Sequence, residues 1–124
     1  MTLSGGITVF ASDLAASRRF YGDQLGLAVE EDEDGFWARR DGVELRVEGG
    51  ARKRRLSREF YEEAGILVRI ETDSFDTFLG GITARGIKLF GEVKDSDAGR
   101  FAGFVDPDGN LFELVEIADT NGKG

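Results

Sequence analysis

A chain with no histidine and no cysteine has to do any chemistry with carboxylates, guanidiniums, phenols and hydroxyls. The missing residues are the usual base near neutral pH, the commonest metal ligand and the thiolate nucleophile. Disulfides and zinc fingers are therefore excluded. Carboxylates are plentiful: 24 acidic residues against 16 basic ones give a net charge of −8. A partly buried carboxylate can have a raised pKa and then move a proton, which keeps acid–base chemistry open. The tyrosines, Tyr21 and Tyr61, are weaker candidates, and Tyr21 falls on the apolar face of a predicted helix.

At 124 residues the chain is expected to form one domain with a real core. The acidic balance repels phosphate backbones and argues against nucleic acid as a partner. No apolar run reaches membrane-spanning length and the N-terminus shows no signal-peptide pattern, so no membrane partner and a cytoplasmic location are expected.

The elements that must position these groups come in two similar stretches. Gly6-Ile7-Thr8-Val9 leads into Ser12-Asp13-Leu14, a helical run and Leu25-Gly26-Leu27. Gly65-Ile66-Leu67-Val68 leads into Asp73-Ser74-Phe75, a helical run and Arg85-Gly86-Ile87. Repetition of strand, helix, strand implies a duplicated unit. Strands are predicted over 7–11, 27–31, 36–40 and 43–47 in the first copy, and over 66–70, 88–93, 99–105 and 111–117 in the second.

Leu14, Ser17, Tyr21 and Leu25 give the first helix a buried face, with Ser12 or Asp13 as its cap. Phe75, Phe78, Leu79 and Ile82 do the same for the second, which Gly80-Gly81 should shorten or distort. Asp41-Gly42 and Asp106-Pro107-Asp108-Gly109-Asn110 are tight-turn signals. The division is then a first module over about 5–48, a linker over about 49–64 and a second module over about 65–118, ending in a frayed tail. The linker carries the basic run Arg52 to Arg55 and a possible helix over 56–64. It is either a solvated connector or a flap bearing Phe60 and Tyr61.

This α+β order, βαβββ twice, resembles the vicinal-oxygen-chelate superfamily, the glyoxalase/bleomycin resistance protein/dioxygenase family. The resemblance is carried by Ser12-Asp13-Leu14, Phe20-Tyr21 and Leu25-Gly26-Leu27. Above all it is carried by Phe104-Val105-Asp106-Pro107-Asp108-Gly109-Asn110-Leu111-Phe112-Glu113-Leu114. It implies two modules forming an incomplete barrel around a cavity, and a homodimer with shared pockets. Metal-dependent members place one ligand on the first strand and a Glu on the last strand of each module. The matching positions here are Gly6 and Gly65, which carry no ligand, and Glu44 and Glu113, which do. Two carboxylates alone suit a transition metal poorly, so no metal and no other cofactor is expected.

Strand alternation extends the site. Thr8 and Phe10 join Gly6, Arg46 joins Glu44, Leu67 and Arg69 join Gly65, and Val115 joins Glu113. Either Phe36 or Trp37 must also face the cavity, and Trp37 is the candidate stacking wall; Phe101 and Phe104 are expected to pack in the core. Glu44 or Glu113 either pairs with Arg46 or Arg69 inside the barrel or holds a polar ligand. The resemblance and the empty ligand positions imply a metal-independent protein that sequesters a small molecule, such as an antibiotic or related metabolite, in a dimer-interface cavity. The alternative is a metal-independent isomerase, cyclase or lyase using Glu44 or Glu113 as acid or base. A metal-dependent glyoxalase or dioxygenase is the weakest of the three.

Overall fold

Tyr21 and Phe20 sit at the centre of the molecule and show how it is assembled. In the computed structural model, which describes residues 1–50 and 66–117, the Tyr21 ring lies 6.0 Å from Phe36 and 5.8 Å from Phe112. Phe20 lies 6.2 Å from both Phe104 and Phe112. Phe36 belongs to one sheet, and Phe104 and Phe112 to another, so one helix bridges both. The expectations for the linker, its basic run, Phe60, Tyr61, Gly65 and the tail fall outside the described residues.

The first repeat contains β1 (Ile7–Ala11), α1 (Leu14–Arg18), β2 (Ala28–Glu31), β3 (Gly35–Arg40) and β4 (Val43–Gly49). The second contains β5 (Val68–Thr72), α2 (Phe75–Ala84), β6 (Lys94–Ser96), β7 (Gly99–Val105) and β8 (Leu111–Glu116). They form two open, mixed four-stranded sheets, ordered β1-β4-β3-β2 and β5-β8-β7-β6. In each sheet the first strand pairs parallel with the last and the remaining pairs are antiparallel.

Alternation along the strands decides what each face does. Val9, Ala11, Phe36, Ala38, Leu45 and Val47 of the first sheet are buried in a common core with Val68, Ile70, Ala102, Phe104, Phe112 and Leu114 of the second. The two sheets thus turn their apolar faces towards each other, with Phe20, Tyr21, Phe75 and Ile82 of the helical segments between them. The opposite faces look outward.

Asp13 caps α1 by accepting the Ala16 N–H at 3.2 Å. After Arg18 the helix widens into a π turn over Arg19–Gln24, closed by the Leu25 N–H on the Phe20 carbonyl at 2.7 Å. The sequence pattern does not announce this turn. It lies where both Phe20 and Tyr21 must be buried, one after the other, because the segment has sheet on two sides.

α2 is a regular ten-residue helix despite Gly80-Gly81, because Phe75 and Ile82 anchor it in the core. Burial here outweighs propensity. The predicted strand over 88–93 does not form. Leu89 makes a single bridge to Phe104, and Gly91, at φ +90°, turns the chain before β6 starts. The other predicted strands form with small shifts at their ends.

Candidate functional site

The outward face of the first sheet is built by cross-strand register. Trp37 on β3 stands opposite Arg46 on β4, and Arg39 stands opposite Glu44. On the other side of β4, Thr8 and Phe10 of β1 stand beside Arg46 and Glu48. Side chains of one parity therefore share this face: Thr8, Phe10, Trp37, Arg39, Glu44, Arg46 and Glu48.

Arg46 organises the face. Its two terminal nitrogens donate to both Asp32 oxygens at 2.6 and 2.9 Å, and its Nε donates to Glu48 at 3.1 Å. Asp32 is itself fixed by the backbone N–H groups of Asp34 and Gly35 at 3.0 and 3.1 Å. Hydrogen bonds from Arg46, then those from the backbone, hold the Asp32 carboxyl below the ordinary carboxylate range. Asp32 in turn holds the Arg46 guanidinium firmly in its charged form.

Arg39 donates to Glu44 at 2.9 Å and reaches Glu30 at 3.5 Å. Both guanidiniums lie over the Trp37 ring, at 4.6 Å for Arg39 and 5.3 Å for Arg46. The partners of these two arginines are four carboxylates, Glu30, Asp32, Glu44 and Glu48, so the cluster is acidic on balance.

On the second sheet the register sets Arg69 beside Glu113, and Glu113 beside Gly103. Val115 lies between Glu71 and Phe101. Arg69 forms a 3.4 Å pair with Glu71. Leu67, just before β5, is 40% exposed.

The sequence-derived residues therefore divide between two surfaces. Gly6, Thr8, Phe10, Trp37, Glu44 and Arg46 belong to the first sheet, and Leu67, Arg69 and Glu113 to the second, across the core from one another. A single chain does not bring them together. Gly65 lies outside the described residues.

The expected pairing of Glu44 with Arg46 or Arg69 is corrected. Its partner is Arg39, its cross-strand neighbour, while the Asp32 and Glu48 carboxylates take Arg46. Parity from Trp37 points to Arg39. Asp32 gives no comparable signal, since it sits in an acidic turn where spacing says nothing about direction. Phe104 joins the core as expected, whereas Phe101 is half-buried on the outward side.

Residues 5–114 match the sequence model described as the Glyoxalase/Bleomycin resistance protein/Dioxygenase superfamily. The chain belongs to that superfamily. Among solved structures, it is similar to a glyoxalase/bleomycin resistance protein/dioxygenase from Alicyclobacillus acidocaldarius, at 20% identity and TM-score 0.75. That likeness covers 94% of this chain and 92% of the other. A protein of the same description from Nocardioides is 22% identical with TM-score 0.65, covering 99% and 91%. SMU.1112c is 25% identical with TM-score 0.73, covering 94% and 99%. No curated protein matches the chain in sequence.

Metal-dependent members of the glyoxalase/bleomycin resistance superfamily need a convergent donor set, and the described residues of a single chain do not supply one. Gly6 offers no side-chain donor, and a Cβ placed on it would meet nothing within 4 Å. Glu44 and Glu113 lie on outward faces on opposite sides of the core. Among the described residues, no three acidic side chains gather as a metal-binding group. The donor set fits a nitrogen- or sulfur-seeking metal poorly.

Proposed function

We propose that this superfamily member is a metal-independent small-molecule binder that works as a homodimer. Its ligand would be a cationic, partly aromatic compound of the antibiotic or secondary-metabolite type. The observation that carries the reading is the outward placement of the Trp37–Arg39–Arg46 face. That surface is ordered by salt bridges, carries an aromatic ring and is acidic on balance, yet one chain leaves it open. A second copy laid against it would close it into a cavity.

Three features support this arrangement. β1 and β5 are edge strands, each paired on one side only. Bare edges are sites for further strand association. Apolar side chains also cluster near these edges: Ile7 is 45% exposed, Phe10 52% and Ile66 82%. Finally, the net acidity of the face would draw a cation towards its carboxylates, Glu30, Asp32, Glu44 and Glu48.

The test combines light scattering with a binding screen. Wild-type protein should run as a dimer, and Phe10→Glu should give a folded monomer that has lost affinity for the compounds the dimer takes up. Binding should persist in excess chelator. A monomeric wild type that still binds, or binding that chelator abolishes, would overturn the reading. Glu44→Gln separates sequestration from proton transfer: weakened binding alone supports the first, and lost turnover with binding retained supports the second.

A further inference from the structure

A cavity of about 680 Å³ lies away from the Trp37 face, along the side of α2. Its walls come from Leu27, the Arg40–Val43 turn of the β3–β4 hairpin, the edge strand β5, a stripe of α2 that includes Phe78 and Gly81, and Arg85 just past the end of that helix. That volume suits a small organic molecule.

The cavity has a structural origin in the repeat. At the equivalent junction in the other half, the helical segment carries Phe20-Tyr21 and the Asp106–Asn110 turn packs against it, with Tyr21 donating to Asp106 at 2.7 Å. The Leu27 N–H closes on the Tyr21 carbonyl and the Ile87 N–H on the Ile82 carbonyl, so the residues of α2 that match Phe20-Tyr21 are Gly81-Ile82. The matching hairpin turn is the shorter Asp41-Gly42. Ile82 keeps the place of Tyr21 in the core, but the Phe20 ring is replaced by the hydrogen of Gly81 and the five-residue turn by two residues. The space that results is the cavity.

One end of it holds two guanidiniums that no carboxylate neutralises among the described residues. A Cβ on Gly26 would stand 3.3 Å from Nη1 of Arg40 and 3.4 Å from Nη2 of Arg85, so the two charges converge on one spot. Arg85 is held in place by its Nε donating to the Gln24 carbonyl at 2.8 Å, while Gln24 Nε2 donates back to the Arg85 carbonyl at 3.1 Å. Its terminal nitrogens make no hydrogen bond among the described residues. Arg40 lies 5.8 Å above the Phe78 ring. Of the other charged wall residues, Arg69 pairs with Glu71, Asp73 accepts the Ser74 hydroxyl at the far end of the helix, and the Asp41 carboxylate in the hairpin turn forms no ion pair with either arginine.

We propose that this groove is a second ligand site, taking a small carboxylate with a flat apolar body. The carboxylate would lie between Arg40 and Arg85, where it relieves their mutual repulsion and accepts charge-assisted hydrogen bonds. The flat body would lie over Gly81 against Phe78, Leu27 and Val43. The site does not use the Trp37 face.

Titration of isotope-labelled protein with 2-naphthoate, followed by amide chemical shifts, tests this directly. Shifts should centre on Gly26, Gly81 and Arg85, and the neutral 2-naphthamide should produce none there. Replacing both arginines, R40Q with R85Q, should weaken naphthoate by about tenfold or more, as expected for loss of two charged donors. Gly81→Leu fills the groove while favouring the helix, and Arg85 can swing aside for it. It should abolish the shifts in a protein that melts no lower than wild type. No shifts at millimolar naphthoate, shifts confined to the Trp37 face, or equal binding of the amide would each overturn the proposal.

Discussion

Asp106 is the most heavily used carboxylate in the molecule's interior. It accepts the Tyr21 hydroxyl at 2.7 Å, the N–H groups of Asp108 and Asn110 at 2.9 and 2.8 Å, and the Asn110 side-chain amide at 2.8 Å. Tyr21→Phe removes one donor from a buried charge and should cost about 1–3 kcal/mol in urea unfolding. Burial, and then the Asp106 charge, push the Tyr21 phenol far above its ordinary value of 10.0. A raised folded-state pKa gives stability that is complete below the unfolded value and lost above it. Stability should therefore fall as pH rises past about 10, and Tyr21→Phe should remove that part of the decline. Asp32 works in the opposite sense. Its depressed pKa contributes above the unfolded value of 3.8 and is lost as pH falls. Asp32→Asn should flatten the acid limb of the stability profile, measured as urea midpoints across that range.

At the level of elements, two glycines on either side of the core behave oppositely. Gly80 is exposed in the middle of α2, and an added Cβ would meet nothing within 4 Å. Gly80→Ala should stabilise the protein by about 1 kcal/mol, read as a higher melting temperature. Gly35 at the start of β3 packs against the β4 backbone, where a Cβ would collide with the Val47 carbonyl. Gly35→Ala should cost about 3 kcal/mol by the same measurement. Sequence reasoning reads such elements well where a local pattern specifies them. The hairpin at Asp41-Gly42, the strand β1 and the Asp13 cap were all legible, because turn chemistry, alternation and capping act within a few residues. The region 88–93 was not. Its alternation suits a strand, but Gly91 turns the backbone and Leu89 alone reaches β7. The π turn was also hidden, since it answers to sheets contributed by distant residues.

For the whole molecule, alternation correctly grouped Thr8 with Phe10 and Glu44 with Arg46, because parity is a property of single strands. It could not show that the two groups around Glu44 and Glu113 point away from each other. That depends on which faces of the sheets hold the apolar residues and on the helical segment that bridges them. Trp37 is the single tryptophan, so its emission reports on the outward face of the first sheet alone. In the proposed dimer its emission should shift on dilution to monomer, and Phe10→Glu should show the dilute spectrum at every concentration. A spectrum independent of concentration in wild type would argue against closure of that face.

The Asp106–Asn110 turn does more than end a hairpin. Through Asp108 it accepts the Ser12 N–H at 2.9 Å, and Asn110 donates to the Phe10 carbonyl at 3.4 Å, so the second repeat is stitched to the first strand–helix junction. Neither half can loosen without exposing the aromatic layer of the other. The slowest-exchanging amides of the two sheets should thus share one opening free energy. Separately expressed halves, each carrying an unsatisfied apolar face, should find each other and reconstitute the whole.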